Sequence, residues 1–313
     1  MNVYSGRHYD SDRAVFRAFT KKTGIEVRSI EADGAQLLER LKAEGEYTNA
    51  DLIMTVDAGN LTRLVEANLL APVTSPALAA TPARYRDEQG RWYAFARRAR
   101  IVAYRKGAVD PTTIASMDDL TRLGLRGSIC VRTSTNLYNI SLLAARIVRD
   151  GPEKARAWAR GVVANFARDP QGSDTDQIRA VAAGDCRVTI VNHYYLARMR
   201  SSGDPADKAV ADKVGVVFPD QDGAGTHVNI SGAGVSVHAR HKDNALKLLE
   251  FMVSREAQTI IAELNDEYPV APDVTLPAAL AELGAFKAED VPFAAIGARQ
   301  AEAQRLYEEA GWR

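Results

Sequence analysis

The sequence predicts an α/β fold built from two lobes, and three observations support this prediction. Strand and helix patterns alternate from the first residue, which is typical of parallel sheets with helices on both faces. The chain has 313 residues, which is too long for one ordinary hydrophobic core. An apolar and basic segment near 95–104 and a glycine-rich segment near 222–234 interrupt the alternation. We interpret these two segments as hinge crossings between the lobes.

The first lobe is predicted from a βαβαβα pattern in residues 1–96. Its strands are expected at 2–5, 25–30 and 51–56, and its helices are marked by Val15 and Phe16, by Leu37 and Leu41, and by Leu61 and Leu64. Gly24 is expected to end the first helix. A late strand near 232–237 and a helix beginning near Asp243 predict that residues 233–270 return to this lobe.

The second lobe is predicted from residues 97–232, with the C-terminal helices of 271–313 packing mainly on it. Strands are expected at 128–132 and 186–192, and helices at 153–167 and 174–183. A further helix carries Leu142, Leu143 and Ile147, and Thr133-Ser134-Thr135 could cap it. Two α/β lobes with a cleft and a hinge are an architecture typical of binding proteins.

Composition narrows the class of protein. The apolar fraction is 46%, the charged fraction is 26%, and 40 basic residues balance 40 acidic ones. Such a balance gives no bulk-charge indication of nucleic acid or of an anionic membrane as a partner. No apolar run approaches the length of a membrane span. The opening residues 1–5 look like a strand entering a turn, so we expect that any secretory signal has been removed.

The two cysteines, Cys130 and Cys186, each lie in a predicted strand of the second lobe. They could form one disulfide between neighbouring strands, which would fit an oxidising compartment. Two buried free thiols are the alternative. Their separation does not fit a compact cysteine metal site.

The most informative motif is the pair Tyr194-Tyr195, which directly follows the predicted strand 186–192. Open α/β sheets bind ligands at the carboxyl ends of their strands. A hard trivalent cation there could deprotonate phenols, because a bound ion can be the largest local charge. Adjacent tyrosines could therefore bind ferric iron, or their rings could simply pack in the core.

Three further residues could join this pair. His8 and Tyr9 follow the first strand, and Tyr138 lies at the start of a predicted helix. Together with Tyr194-Tyr195 they would form a ligand set rich in hard oxygen, with no thiolate and no EF-hand pattern. Taken singly, His8 could be a surface or capping histidine, and Tyr138 could be a helix-packing aromatic residue.

Arginines accompany these tyrosines. Arg97, Arg98 and Arg100 cluster at the first crossing, and Arg198 lies one helical turn beyond Tyr194. Guanidinium groups can offset phenolate charge and can hold a small oxyanion in a bidentate manner. A helix N-terminus near Thr135 could bind the same anion. Some of these arginines are instead expected to be solvated or paired with carboxylates, since neighbouring residues cannot all face one cleft.

The motifs resemble those of the periplasmic ferric-iron-binding proteins of bacterial ABC importers, in particular their tyrosine-rich branch. The resemblance spans nearly the whole chain in order. It is carried by the segments 4–9 (YSGRHY), 51–59 (DLIMTVDAG), 97–100 (RRAR), 133–139 (TSTNLYN), 192–195 (NHYY), 225–234 (GTHVNISGAG) and 267–270 (EYPV).

The resemblance implies a two-lobed class II periplasmic-binding-protein fold with iron in a central cleft. By motif, it implies phenolate ligands from Tyr9, Tyr138, Tyr194 and Tyr195, and an imidazole ligand from His8. It implies that Arg98 or Arg100, together with Arg198, lies near the metal or a synergistic anion such as carbonate. Thr135, at the expected helix N-terminus, is a further candidate to hold that anion. One branch of the family uses a glutamate ligand after the third strand, and this sequence has no clear match to that glutamate. Asp57 is the nearest acidic residue to this position, and we interpret it as structural.

We therefore expect a monomeric periplasmic binding protein that captures Fe(III) and delivers it to an ABC permease. Its contact with the membrane complex would be peripheral, and it would bind no nucleic acid. One alternative is a protein of the same fold that binds an organic or anionic solute, such as thiamine or phosphate. A two-lobed transferase is a lesser alternative. It is opposed by the lack of a G-x-S-x-G elbow, a Walker loop or an H-E-x-x-H motif.

Overall fold

A computed structural model describes residues 1–313, and it confirms the predicted α/β class. Nine strands are distributed along the whole chain. They are β1 (Asn2–Ser5), β2 (Arg28–Glu31), β3 (Leu52–Val56), β4 (Tyr93–Arg105), β5 (Ile129–Cys130), β6 (Val188–Asn192), β7 (Val214–Val217), β8 (Val228–Val235) and β9 (Tyr268–Pro269).

Fourteen α-helices connect or flank these strands. They are α1 (Asp10–Thr23), α2 (Gly34–Glu44), α3 (Ala58–Glu66), α4 (Pro76–Ala79), α5 (Leu137–Asp150), α6 (Pro152–Val163), α7 (Asp174–Ala183), α8 (His193–Ser201), α9 (Pro205–Asp212), α10 (Lys242–Met252), α11 (Arg255–Asn265), α12 (Ala278–Ala281), α13 (Phe293–Ala298) and α14 (Gln300–Ala310). None of them is both long enough and apolar enough to cross a bilayer.

The chain divides into two compact units. Unit 1 contains Met1–Arg97 and Ile230–Pro277, and unit 2 contains Arg98–Asn229 and Ala278–Arg313. Unit 1 therefore extends past residue 270, the limit expected from the sequence, and the C-terminal helices from α12 onward belong to unit 2. The chain passes from one unit to the other within β4, within β8 and again between Pro277 and Ala278.

Unit 1 is built on a mixed sheet. β1 lies between β2 and β3 and is parallel to both, while β8 runs antiparallel to β3. Its core is formed by apolar side chains of the sheet and of α1, α10 and α11, such as Phe19, Met54 and Leu248. Gly24 ends α1 with a φ of 73°, a left-handed conformation that glycine adopts without a steric penalty.

Unit 2 is also mixed. β5 and β6 are parallel, whereas β4 runs antiparallel to β6 and β7. The last helix, α14, packs on α5 and α6. Next to this contact, the ring of Trp312 lies against those of Trp158, Phe166 and Tyr307, with centroids 4.6 to 6.3 Å apart. The C-terminal segment thus contributes to the unit 2 core.

The structure corrects several expectations. The sheets are not purely parallel, because the crossing segments β4 and β8 are strands that run against their neighbours. β2 covers Arg28–Glu31 rather than 25–30, because its partner β1 offers only four residues for pairing. Thr133–Thr135 do not cap α5. Asn136 does, and its side-chain oxygen accepts a hydrogen bond from the backbone N–H of Tyr138 at 3.1 Å.

Cys130 and Cys186 form a disulfide, so the first of the two alternatives is confirmed. Cys130 ends β5 and Cys186 lies just before β6, and the two Cα atoms are 5.8 Å apart. The bond joins the two parallel strands that precede the predicted tyrosine segments. It closes a loop between residues separated by 56 positions, which on chain-entropy grounds corresponds to about 4 kcal/mol of stabilisation.

The disulfide gives a first prediction. Thiol titration of the denatured protein without reductant should find no free cysteine, and reduction should release both thiols. The double variant Cys130→Ala/Cys186→Ala should melt at a lower temperature, because its unfolded chain is less restricted. Wild type measured in reductant is the matched control and should approach the variant. Two free thiols in the oxidised protein would contradict the assignment.

Candidate metal centre

The predicted tyrosine segments of unit 2 meet at one edge of its sheet. The parallel strands β5 and β6 end there, and the chain then enters the loop before α5 and the first turn of α8. Tyr138 is the second residue of α5, while Tyr194 and Tyr195 lie in the first turn of α8. Carboxyl ends of neighbouring parallel strands are where α/β sheets collect ligand groups.

The three phenols are close together. The hydroxyl of Tyr194 donates a hydrogen bond to that of Tyr138 at 3.3 Å. The rings of Tyr194 and Tyr195 lie with their centroids 4.3 Å apart, and Tyr194 also hydrogen-bonds Tyr195. Tyr194 is fully buried, whereas Tyr138 and Tyr195 are half-buried. The structure therefore places three of the predicted ligands in one cluster, and Tyr194 is both a core residue and a member of that cluster.

Guanidinium groups surround this cluster. The Cζ atoms of Arg98, Arg100 and Arg132 lie 5.7, 5.9 and 5.6 Å from the ring centroid of Tyr138. The Cζ atom of Arg198 lies 5.7 Å from the ring centroid of Tyr194. Arginine over an aromatic face is a stabilising arrangement, and its charge would also favour an ionised phenol.

Arg98 and Arg100, the two arginines of β4 that are candidates for the metal or anion site, have a different environment from Arg97. Arg98 and Arg100 are buried, whereas Arg97 is half-buried and donates a hydrogen bond to the carbonyl of Pro269 within unit 1. Arg198 is exposed at the surface of α8. The strand alternation of β4 thus separates Arg97 from Arg98, as expected for adjacent residues of a strand.

Two residues of the predicted set, His8 and Tyr9, belong to unit 1. His8 is exposed, and its Nδ1 lies 3.8 Å from a carboxylate oxygen of Glu31. Tyr9 is the N-terminal flanking residue of α1, and its ring lies under the guanidinium of Arg7 at 4.7 Å. Asp57, interpreted as structural, accepts a hydrogen bond from the backbone N–H of Gly59 at the start of α3.

Sequence reasoning missed several polar residues of this region. The most important is Asp174, the first residue of α7, which is fully buried and accepts a hydrogen bond from Arg100 at 2.7 Å. Asn139 accepts a second hydrogen bond from Arg100 at 2.6 Å. A small cavity is lined by Arg98, Arg100, Tyr138, Asn192, His227 and Asn229. A signal for Asp174 existed, since it opens the predicted helix 174–183, but first-turn aspartates are common.

The remaining predicted residue, Thr135, is exposed in the loop before α5. Its hydroxyl lies 3.0 Å from that of Thr133. Histidine, cysteine and carboxylate side chains form no group of three or more that could hold a metal ion.

Burial makes ionisation of Tyr195 unfavourable in the empty protein. Desolvation is the largest cause, and the neighbouring Tyr138 and Asp174 add to it, so the pKa of Tyr195 is raised well above its usual value. A hydrogen bond from Tyr194 and the charge of Arg132 act in the opposite direction. A strongly charged ligand would favour loss of this proton.

Residues 14–288 match the model of a family described as bacterial extracellular solute-binding protein. This chain is a member of that family. It belongs to the periplasmic ferric-iron-binding proteins, as the resemblance in the sequence predicted, because relatives named for iron uptake are 43% identical over all of this chain.

Three of these relatives are informative. Iron uptake protein A1 of Synechocystis is 43% identical over 314 residues, which cover 100% of this chain and 87% of the relative. The major ferric iron-binding protein of Neisseria meningitidis is 27% identical, with 99% and 92% covered. The structure of Trichodesmium IdiA (FutA) with iron and citrate is 46% identical, covers 100% and 99% of the two chains, and superimposes with a TM-score of 0.96.

The raised pKa of Tyr195 leads to a prediction about the apo protein. The folded state favours the neutral phenol, so the associated stability is complete below the unfolded pKa of about 10 and is lost as pH rises above it. Tyr195→Phe should therefore lose less thermal stability than wild type when pH is raised beyond about 10. Melting temperature against pH measures this. Tyr47→Phe, at a residue that is 76% exposed, is the control and should follow wild type. Parallel curves for wild type and Tyr195→Phe would contradict the prediction.

Proposed function

We propose that this protein binds ferric iron through the phenolates of Tyr138, Tyr194 and Tyr195 and delivers it to an ABC permease in the periplasm. The observation that carries the proposal is the cluster of three phenols within an arginine-rich region of unit 2, with a hydroxyl–hydroxyl distance of 3.3 Å between Tyr138 and Tyr194. Hard, anionic oxygen ligands match the charge and hardness of Fe(III).

The chemistry of the cluster supports a cargo role. Each phenol must lose its proton to bind the metal, so capture of Fe(III) exchanges a trivalent cation for protons. The nearby arginines favour the phenolate form and so lower the cost of losing these protons. Iron is bound and released here without being transformed, which is why we propose a carrier and not an enzyme.

We propose His8 and Tyr9 as further ligands on the sequence resemblance alone. We also propose that Arg98 and Arg198 hold a synergistic anion such as carbonate, with Thr135 as a candidate donor. Arg100 fits a supporting role better, since Asp174 and Asn139 already hold its guanidinium. The Trichodesmium relative was solved with citrate as well as iron, which supports an anion beside the metal.

The alternative of an organic or anionic solute is not favoured. The curated relatives that cover nearly all of this chain at 43% identity are named as iron uptake proteins. Colour separates the two proposals. Several tyrosinates on Fe(III) give a visible charge-transfer band, whereas thiamine or phosphate bound by the same residues would give none.

The central prediction concerns the phenols. Tyr194→Phe and Tyr195→Phe each keep an aromatic ring and delete one ligand oxygen. Each should lower Fe(III) affinity by more than the roughly 100-fold upper limit seen for outer-sphere partners, while the apo melting temperature changes little. Fe(III) titration in a competing chelator, followed in the visible band, measures affinity. Tyr47→Phe is the control. A double Phe variant with the wild-type band and affinity would overturn the site.

A further prediction concerns acid and His8. Iron binding should release protons and should weaken as pH falls, because protons compete for the ligands. If His8 is a ligand, His8→Ala should weaken Fe(III) binding and make it less dependent on pH, because one proton-competing ligand is lost. His238→Ala changes another exposed histidine of unit 1 and should match wild type. Identical pH profiles for all three proteins would remove His8 from the ligand set.

A further inference from the structure

We infer that Asp174 is a positioning residue for iron capture, which fixes the arginines and the strand end that hold the phenol cluster of unit 2. This inference rests on the proposed function. It assigns a role to a residue that touches none of the proposed ligand oxygens, and it identifies the carboxylate that makes the cluster rigid.

The burial and contacts of Asp174 are the first step. The residue is fully buried at the first position of α7. One carboxylate oxygen, Oδ2, accepts hydrogen bonds from Nη1 of Arg100 at 2.7 Å and from the backbone N–H of Asn192 at 2.8 Å. The other, Oδ1, lies 3.5 Å from Nη1 of Arg132. One carboxylate thus contacts three separate chain segments.

Each of these segments leads to a proposed ligand. Arg100 on β4 and Arg132 after β5 both lie against the ring of Tyr138. Arg100 also donates to Asn139, the residue that follows Tyr138 in α5. Asn192 ends β6, two residues before Tyr194, and its side-chain nitrogen Nδ2 lies 3.5 Å from the Tyr194 hydroxyl. Removing the carboxylate would loosen both sides of the Tyr138–Tyr194 contact.

The negative charge of Asp174 is not expected to be its main effect on iron binding. If Fe(III) enters as three phenols each lose a proton, the net charge of the region does not change. The long-range effect of one carboxylate on that exchange is therefore small, whereas its geometric effect is not. Outer-sphere partners that orient metal ligands commonly contribute 10–100-fold to metal affinity.

Asp174→Asn tests the inference, because asparagine keeps the size of the side chain and removes its charge. Positioning predicts a loss of Fe(III) affinity of at least about 10-fold and a shifted or broadened charge-transfer band, since the phenolates no longer meet the metal in one geometry. A variant that folds and keeps the wild-type affinity and band would overturn the inference.

The control is Asp119→Asn. Asp119 is also a buried aspartate of unit 2, but its partners are Arg122 and the backbone N–H of Ser116. It should lose stability without any change in the band. If Asp119→Asn shifts the band as much as Asp174→Asn does, general loosening of unit 2 explains both effects and the inference fails.

A second variant, at Arg132, tests the positioning role of Asp174 if Asp174→Asn does not fold. Arg132 is 21% exposed, so Arg132→Gln should be tolerated while it removes one guanidinium from the carboxylate. It should shift the band in the same direction as Asp174→Asn, by a smaller amount. An unchanged band and affinity in Arg132→Gln would overturn the inference. A colourless wild type would instead overturn the proposed function, so the two failures are distinguishable.

Discussion

A single buried carboxylate joins the segments on which the phenol cluster depends. Asp174 accepts hydrogen bonds from a side chain on β4 and from the backbone where β6 ends, and it lies close to Arg132 after β5. Breaking a buried ion pair by removing one partner typically costs about 3–5 kcal/mol, because the other charge is left uncompensated. The positions of Tyr138 and Tyr194 are therefore tied to the stability of unit 2, and the cluster can be rigid before any metal arrives.

The second constraint is the cost of ionising buried phenols. Desolvation opposes the phenolate form of Tyr195, and a hydrogen bond from Tyr194 and the charge of Arg132 only partly offset it. Tyr195 therefore favours its neutral form in the empty protein, and a ligand of high charge would favour loss of its proton more than a weakly charged ligand does. If Fe(III) binds here as proposed, the burial of Tyr195 would contribute to selectivity against organic solutes of low charge.

The disulfide and the aromatic side chains around Trp312 also stabilise the segments that lead to the phenol cluster. Cys130 and Cys186 link β5 to the start of β6, so the two strands that lead to the cluster are covalently joined. Trp312 brings the C-terminal residues into unit 2, and its indole N–H donates to the carbonyl of Arg132 at 2.9 Å. The backbone of Arg132, whose guanidinium lies near the ring of Tyr138, is thus held by Trp312, which is far away in sequence.

The sequence by itself determined the α/β class and the candidate phenols. Alternating periodicity is a local property, and so is the position of Tyr194-Tyr195 directly after an apolar strand. Gly24 ends α1 where expected, because glycine adopts the left-handed conformation that a helix end requires. Local patterns could not give the direction of β4 or the length of β2, since both are set by the partner strand.

Only the tertiary structure decided which polar residues support the phenols. Nothing local distinguishes Asp174 from other first-turn aspartates, and Arg132 looks like an ordinary basic residue of a loop. Their importance comes from burial and from partners that lie far away along the chain, such as Arg100 for Asp174. A pattern can show that a side chain can bind a metal. Whether its charge is balanced, and by which residue, depends on the packing that brings distant segments together.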